Sequence, residues 1–257
     1  MRTQTIVGHR GAAGIELENT LSSFKKAIEV GANAIEFDVH ITKDGYAVVC
    51  HDPDLERVSG SKEFINSLTY EEVQKIALHN GERIPKLRDV LEAAAEKNVP
   101  VIVEIKVNTH IEEILQILSK FPKMDITIAS FDHDVVKQCK QLRPDIPGFV
   151  AEEDHPFTAI KTAKAIHADG IDLNYKRLTP IVYWRAKRAG LQLMVYTVNN
   201  PLIVRQMHLL YPDVWICTNY PNRYVRSQHT KQRHSNQSHK LKVLSIDKKP
   251  LRDKIGL

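Results

Sequence analysis

Hydrophobic positions along this chain follow two alternating spacings. Short runs of aliphatic and β-branched residues predict strands, and segments whose apolar positions recur every three or four residues predict helices. From residue 99 the alternation is regular, with strands predicted at 101–106, 126–129, 148–150, 171–173, 191–196 and 214–217 and helices at 111–118, 133–142, 157–167, 180–189 and 201–209.

The first part of the chain continues this alternation and adds a hairpin. Strands are predicted at 3–8, 34–39 and 46–50, and a helix at about 20–30. Asn19 or Thr20 can cap that helix, and Gly31 ends it. The turn signal Lys43-Asp44-Gly45 joins the second and third of these strands into a hairpin.

Residues 52–87 contain no clear strand, and we predict that they form a small insertion after the hairpin. Thr69 and Glu72 have the spacing of a capping box, which indicates the start of a short helix. The apolar residues of this segment either line a wide apolar mouth or form a small core of their own, and the second is the more common arrangement. They are Phe64, Ile65, Leu68 and Tyr70. A helix at 87–97 follows the insertion.

Apart from the second arm of the hairpin, the pattern has eight strands, and the first seven are each followed by a helix or by the insertion. Strands that alternate with helices pair in parallel. Eight such units within residues 1–225 predict an α/β fold, a closed (β/α)₈ TIM barrel in one domain. An open doubly wound sheet is the alternative, but the sequence has no glycine fingerprint of that class.

The charge of the chain is distributed unevenly. Its formal net charge is +5, but residues 226–257 contain nine Lys or Arg and two Asp, a local charge of +7, which leaves −2 for residues 1–225. The tail has few apolar residues before 241–246, so we predict that it is flexible, with one further strand or short helix at 241–246. The basic tail could make weak contact with an anionic surface, but no nucleic-acid partner is expected.

Composition otherwise indicates an ordinary soluble protein, with 42% hydrophobic and 26% charged residues. No apolar run is long enough to predict a transmembrane helix, and the N-terminus lacks the apolar region of a signal peptide. The three cysteines, Cys50, Cys139 and Cys217, are too few and too far apart for a disulfide scaffold. We therefore expect buried, unreactive thiols and a cytoplasmic location.

Carboxylates collect where the barrel's strands would open to solvent. Active sites of such barrels lie at the carboxyl ends of the strands. Glu36 and Asp38 are two residues apart and face the same way, as do Glu104 and Lys106 on the next strand of the barrel. Alone, each pair fits a solvated strand face or a structural ion pair. Together, Glu36, Asp38 and Glu104 offer the all-oxygen ligation that one Mg²⁺ or Ca²⁺ ion prefers.

Cations and histidines occupy neighbouring strand ends. Arg10 and Lys106 beside a divalent metal would suit a phosphate group. His9 and His51 could divide the general-acid and general-base roles. Each residue taken singly has an ordinary structural explanation, but the conjunction favours a phosphodiesterase. No Cys or His cluster has the spacing of a structural zinc site.

The order of these motifs resembles that of the glycerophosphodiester phosphodiesterases, from about residue 5 to residue 223. The matching motifs are His9-Arg10-Gly11, Glu18-Asn19-Thr20, Glu36-Phe37-Asp38-Val39, His51-Asp52 and Val103-Glu104-Ile105-Lys106. The resemblance implies a TIM barrel that uses Mg²⁺ or Ca²⁺ to hydrolyse glycerophosphodiesters, releasing glycerol 3-phosphate and an alcohol such as choline, ethanolamine or glycerol. It also implies that His9 and His51 are the acid–base pair, that Glu36, Asp38 and Glu104 are the metal ligands, and that Arg10 and Lys106 contact phosphate.

Two positions late in the chain depart from the family's usual pattern. Tyr196 stands where a tryptophan is common, which keeps an aromatic wall for the substrate but adds a hydroxyl group. Asn219 follows Thr218 where an aspartate is common. Because that aspartate is not among the metal ligands the resemblance implies, we expect activity to survive the change.

The sequence leaves several alternatives open. It does not assign the acid and base roles to particular histidines, and it does not separate direct attack by water from attack by a glycerol hydroxyl. The same machinery would serve a lysophospholipase-D-like enzyme. A catalytically silent barrel that binds anionic partners through its tail is the alternative outside enzymes.

Overall fold

A computed structural model describes residues 4–224 and confirms the predicted (β/α)₈ barrel. The strands are β1 (Ile6–Gly8), β2 (Ala34–Ile41), β3 (Ala47–Val49), β4 (Val101–Ile105), β5 (Ile126–Ser130), β6 (Gly148–Glu152), β7 (Gly170–Asn174), β8 (Gln192–Tyr196) and β9 (Trp215–Thr218). Eight of them are parallel and close a ring in the order β1-β2-β4-β5-β6-β7-β8-β9, in which β1 pairs with both β2 and β9.

The ninth strand of the sheet, β3, is the second arm of the predicted hairpin. It pairs antiparallel with the last part of β2, Val39 opposite Val49. One edge of β2 pairs with β4. The opposite edge pairs with β1 near the start of β2 and with β3 near its end. The hairpin therefore delivers His51 to the same end of the barrel as the residues that follow β1.

Helices surround the ring and follow the strands in turn. They are α1 (Leu21–Glu29), α2 (Glu56–Ser59), α3 (Tyr70–Lys75), α4 (Leu87–Ala95), α5 (Ile111–Ser119), α6 (His133–Leu142), α7 (Pro156–Ala165), α8 (Pro180–Arg188) and α9 (Pro201–Leu210). Thr20, one of the two predicted caps, accepts a hydrogen bond from the Ser23 N–H. The predicted capping box of Thr69 and Glu72 is present. Helix α7 begins one residue before the predicted start because proline is favoured in the first turn.

Alternation along the strands divides the core into two layers. Every second residue of a strand points outward, against the helices, and these outward residues belong to the two larger apolar clusters. The inward residues fill the barrel from its lower end, and they include Val7, Ala34, Ile102, Ala129, Phe149, Met194 and Cys217. Since the period is two, the next inward positions above this layer on β2 and β4 are Glu36 and Glu104.

The insertion has a hydrophobic core of its own. Its buried residues pack with the hairpin strand β3 and are Val48, Cys50, Leu55, Val58, Ile65, Val73, Leu78 and Ile84. Leu68 and Tyr70 pack against this cluster. Of the four apolar residues considered for a wide mouth, Phe64 is exposed. The insertion therefore packs as a small unit with its own core and does not form the wall of an open apolar channel.

Replacing Leu55 by alanine tests whether this core stabilises the fold. Leu55 is fully buried, so its truncation is expected to lower the free energy of unfolding by about 2–5 kcal/mol. The matched control is Leu202→Ala on α9, because that side chain is 74% exposed and its loss should change stability by less than about 0.5 kcal/mol. Urea denaturation of the two variants measures both effects, and equal destabilisation would contradict the packing described here.

The ends of the chain lie outside the described residues. The predicted basic tail, including the element at 241–246, falls there, as does the first part of the strand predicted at 3–8. Within residues 4–224, no helix has the length and apolar character needed to span a membrane.

Candidate active site

Three carboxylates meet at the upper end of the barrel. Glu36 and Asp38 lie on β2, and Asp38 is in register with Glu104 on β4. Each of the three offers an oxygen, and these oxygens lie within 4.8 Å of one another. Glu36 and Asp38 are 4% and 1% exposed. The shared inward face predicted from the spacing of two is therefore confirmed.

The hydrogen bonds of Glu36 leave one of its oxygens unsatisfied. Oε2 accepts a hydrogen bond from the backbone N–H of Arg10 at 2.9 Å. Oε1 is buried and has no hydrogen-bond partner among the described residues. A buried carboxylate oxygen without a donor is costly unless a cation satisfies it. The residues present therefore fit a bound divalent cation, as their oxygen-only donor set also indicates.

Crowding of the three carboxylates shifts their proton affinities in opposite directions. Burial, with the charges of Asp38 and Glu104, raises the pKa of Glu36 well above its usual value. Burial and Asp38 also raise the pKa of Glu104. Burial alone would raise the pKa of Asp38, but Lys106 and Arg10 hold it below its usual value. Without a cation, the cluster relieves its repulsion by keeping a proton.

The two predicted phosphate-binding cations lie against this cluster. Lys106 Nζ is 2.5 Å from Glu104 Oε1 and 3.1 Å from Asp38 Oδ1. Arg10 Nε is 3.4 Å from Asp38 Oδ2, and its Nη1 is 2.8 Å from Glu18 Oε1. Both side chains are 17% exposed. They are positioned to meet an anion that approaches the carboxylates from the mouth of the barrel.

His9 follows β1 and is held by the last strand. Its Nδ1 is 2.6 Å from Asn219 Oδ1. Because an amide oxygen only accepts, this contact assigns the ring proton to Nδ1 and leaves the Nε2 lone pair available. Burial and the neighbouring Arg10 lower the pKa of His9 to about 4. The imidazole is therefore neutral at neutral pH.

His51 is held by a carboxylate instead. Its Nδ1 is 2.7 Å from Asp52 Oδ1. Asp52 pairs with Arg57, and Arg57 donates to both oxygens of Glu18. This chain of ion pairs ties the insertion to the loop after β1. Burial lowers the pKa of His51, and the Asp52 carboxylate opposes that shift.

Tyr196 ends β8 and forms one wall of the mouth. Its ring meets Phe131 edge-on, with ring centroids 5.8 Å apart, and its hydroxyl donates to the backbone carbonyl of Glu152 at 3.3 Å. Phe131 also lies under Lys106, whose Nζ is 5.7 Å from the ring centroid. Tyr196 thus faces the same opening as the other predicted residues.

The fold brings all eight predicted residues to one end of the barrel and adds others that sequence reasoning missed. The sequence shows Asn219 only as a departure from the family's pattern, whereas the structure shows that it is the partner of His9. Glu18, Asp52 and Arg57 were not predicted to connect. Asp172 points into the barrel, 7% exposed, and burial and Glu104 raise its pKa well above the usual value. The sequence signal for Asp172 is its position two residues before Asn174 on the same strand, which places both side chains on the inward face.

The chain is similar to known proteins in sequence and in fold. Residues 9–223 match the model of the glycerophosphoryl diester phosphodiesterase family. A glycerophosphodiester phosphodiesterase from Bacillus altitudinis is 31% identical over 237 residues, which cover 86% of this chain and 96% of that protein. Human lysophospholipase D is 33% identical over 157 residues, which cover 55% of this chain and 49% of that protein.

One solved structure extends the comparison of folds. It is that of an Oleispira antarctica phosphodiesterase in complex with the product sn-glycerol-3-phosphate. The TM-score is 0.82 at 20% identity, and the alignment covers 88% of this chain and 96% of that one. At that identity the likeness establishes the fold.

Proposed function

The chain belongs to the glycerophosphodiester phosphodiesterase family, and on that premise we propose that it hydrolyses small glycerophosphodiesters to glycerol 3-phosphate and an alcohol with one divalent cation. The observation that carries the proposal is the cluster of Glu36, Asp38 and Glu104 with its unsatisfied buried oxygen. Two cations and two histidines surround that cluster, as a phosphodiester requires.

Glu36, Asp38 and Glu104 would hold Mg²⁺ or Ca²⁺. When bound, such an ion neutralises charge on a phosphoryl oxygen and polarises the phosphorus centre. Arg10 and Lys106 bind the remaining phosphate oxygens and stabilise the charge that develops on them. Since both cations already contact the carboxylates, a substrate phosphate would exchange part of these ion pairs for its own.

The two histidines differ in the groups that hold them, and we assign their roles from that difference. His9 is neutral, donates from Nδ1 to an amide, and has a free Nε2 lone pair, so it accepts the proton of the attacking hydroxyl. His51 contacts the Asp52 carboxylate, which stabilises an imidazolium, so it protonates the leaving alkoxide.

The leaving alcohol has a polar groove to occupy. A groove of about 510 Å³ opens beside Lys106 and is lined mostly by polar side chains, among them Lys43, Asn66, Asn108 and Asp132. The aromatic pair of Phe131 and Tyr196 borders Lys106 and offers ring faces to a cationic headgroup. Glycerophosphocholine and glycerophosphoethanolamine fit this environment.

A lysophospholipid is the second candidate substrate, because the chain is 33% identical to part of human lysophospholipase D. Its long acyl chain would need an apolar surface beside the site. The polar groove and the inward packing of the insertion's apolar residues favour the smaller substrates.

Measuring activity on glycerophosphocholine and on lysophosphatidylcholine decides between these two classes of substrate. We expect kcat/KM for glycerophosphocholine to exceed that for lysophosphatidylcholine by at least about tenfold, a difference of about 1.4 kcal/mol, with phosphorus NMR identifying the products. A preference for lysophosphatidylcholine below its micellar concentration would overturn the small-substrate proposal and leave the phosphodiesterase chemistry standing.

Asn219→Asp tests the role of His9 through the pH profile. A carboxylate beside Nδ1 favours the imidazolium, so it should raise the pKa of His9 from about 4 toward neutrality. A general base works only when unprotonated, so the acidic limb of the kcat/KM profile should move to higher pH, by roughly one unit or more. Asn219→Leu, which removes the acceptor, is expected to lower kcat about tenfold or more. An unchanged acidic limb in Asn219→Asp would contradict the base assignment.

A further inference from the structure

The barrel wall formed by β9, β1 and β2 brings a second set of metal-binding groups together. His9, Glu36 and Cys217 each offer one ligand atom, and these three atoms lie within 4.8 Å of one another. We propose that they form a zinc site that shares Glu36 with the carboxylate site and inhibits the enzyme when it is filled.

Strand register explains why three residues so distant in sequence meet here. Val7 on β1 is opposite Cys217 on β9 and opposite Ala34 on β2. His9 and Glu36 are the next inward positions above Val7 and Ala34, so they lie side by side at one level. Cys217 points inward one level below them. Glu36 and Cys217 therefore lie on strands of the barrel wall, and His9, the first residue after β1, is held beside them by its backbone N–H, which donates to the Thr218 carbonyl.

Glu36 belongs to both sets of metal-binding groups, and it has an oxygen that a cation could satisfy. Its side chain is 4% exposed, and its Oε1 atom has no hydrogen-bond partner within residues 4–224. Only Oε2 is engaged, by the Arg10 N–H. An unsatisfied anionic oxygen in a dry interior attracts whichever cation the neighbouring groups can also ligate.

His9 is already oriented as a ligand. The Nδ1 contact with Asn219 at 2.6 Å orients the ring and leaves Nε2 as the nitrogen available to an ion. Metal-binding histidines usually have such an outer hydrogen-bond partner, which sets the tautomer. His9 is partly exposed, so an ion can reach the three residues from the mouth.

The donor set selects zinc over the ions of the carboxylate site. Thiolate and imidazole ligands favour Zn²⁺, whereas Mg²⁺ and Ca²⁺ favour oxygen. The Cys217 thiol releases its proton to solvent when the sulfur–zinc bond forms. The bound ion would engage the lone pair of His9 and withdraw Glu36 from Asp38 and Glu104. Inhibition rests on the proposed roles of His9 and Glu36, whereas zinc binding does not.

Cobalt absorption tests the binding directly, without substrate. Co²⁺ is added to the full chain, and the near-ultraviolet band of a thiolate–Co²⁺ bond is measured. We expect the band in the unaltered protein and in Cys139→Ser, and its loss in Cys217→Ser and Cys217→Ala. Cys139 is the matched control because it is also a buried free cysteine, on the outer helix α6. Competition with a chromophoric chelator should show zinc affinity at least tenfold weaker in both Cys217 variants.

Two outcomes would overturn the zinc site. One is the absence of a thiolate band in the unaltered protein, and the other is a band or a zinc affinity that the Cys217 variants do not change. Thermal unfolding of each variant identifies any that fails to fold. If Cys217→Ser does not fold, Cys217→Ala provides the comparison, because it places no hydroxyl group in the buried site. If zinc binds as expected but does not slow glycerophosphocholine hydrolysis relative to each protein's own zinc-free rate, the proposed roles of His9 and Glu36 are wrong and the site remains.

Discussion

Replacing His51 by alanine is expected to lower kcat for glycerophosphocholine by about 10²–10⁴-fold, the usual contribution of general acid–base catalysis. The choline alkoxide is a poor leaving group, so it needs the proton that His51 supplies. The contact of His51 with Asp52 at 2.7 Å orients the ring for that transfer. His208→Ala, an exposed histidine on the outer helix α9, is the control and should retain full activity.

The identity of the leaving group then separates the two histidines. In a glycerophosphodiester of p-nitrophenol, the p-nitrophenolate group leaves without being protonated. His51→Ala should therefore lose much less activity on this substrate than on glycerophosphocholine. His9→Ala should lose activity on both, since the attacking hydroxyl still needs a base. Equal losses of His51→Ala on the two substrates would contradict the acid assignment, and near-normal turnover of glycerophosphocholine would remove His51 from the mechanism.

Replacing Glu36 by glutamine is expected to abolish metal-dependent activity while making the metal-free protein more stable. Glutamine keeps the shape and can still accept the Arg10 N–H, and it is neutral without taking up a proton, whereas burial and the neighbouring carboxylates penalise a charged Glu36. Loss of a metal ligand costs several kcal/mol of transition-state stabilisation, which corresponds to at least about 10²-fold in rate. Each kcal/mol of repulsion removed should raise Tm by roughly 2–4 °C in the presence of chelator.

Glu29→Gln provides the matched control for that substitution. Glu29 is 66% exposed and, among the described residues, forms an ion pair with Lys26 on the surface of α1, so its loss should change neither activity nor Tm measurably. Adding Mg²⁺ or Ca²⁺ should raise the Tm of the unaltered protein and of Glu29→Gln, but not that of Glu36→Gln. A Glu36→Gln protein that is still stabilised by metal would contradict the carboxylate site.

Local sequence patterns predicted the parts of the site that depend on strand periodicity. A spacing of two on β2 and on β4 was enough to place Glu36 with Asp38 and Glu104 with Lys106, because the inward face of a strand repeats every second residue. The alternation of strands and helices was enough for the barrel. The same reasoning placed His9 and Tyr196 at strand ends facing one opening.

Contacts between distant segments could not be predicted in this way. Asn219 and His9 are 210 residues apart, and they meet because the ring of strands closes between β9 and β1. The pairing of Glu18 with Arg57 depends on how the insertion folds back over the loop after β1, which no periodicity records. The proposed zinc ligand Cys217 shows the same limit, since local spacing detects metal-binding groups within one segment and not groups assembled from three distant segments.

Release of glycerol 3-phosphate from glycerophosphocholine by the purified chain, measured before and after metal removal, tests the central claim most directly. We expect product in the presence of Mg²⁺ or Ca²⁺, loss of product with a chelator, and recovery when either ion is restored. Turnover that persists unchanged after complete removal of metal would contradict the role of the three carboxylates. Absence of glycerol 3-phosphate under every metal condition would contradict the proposed reaction itself.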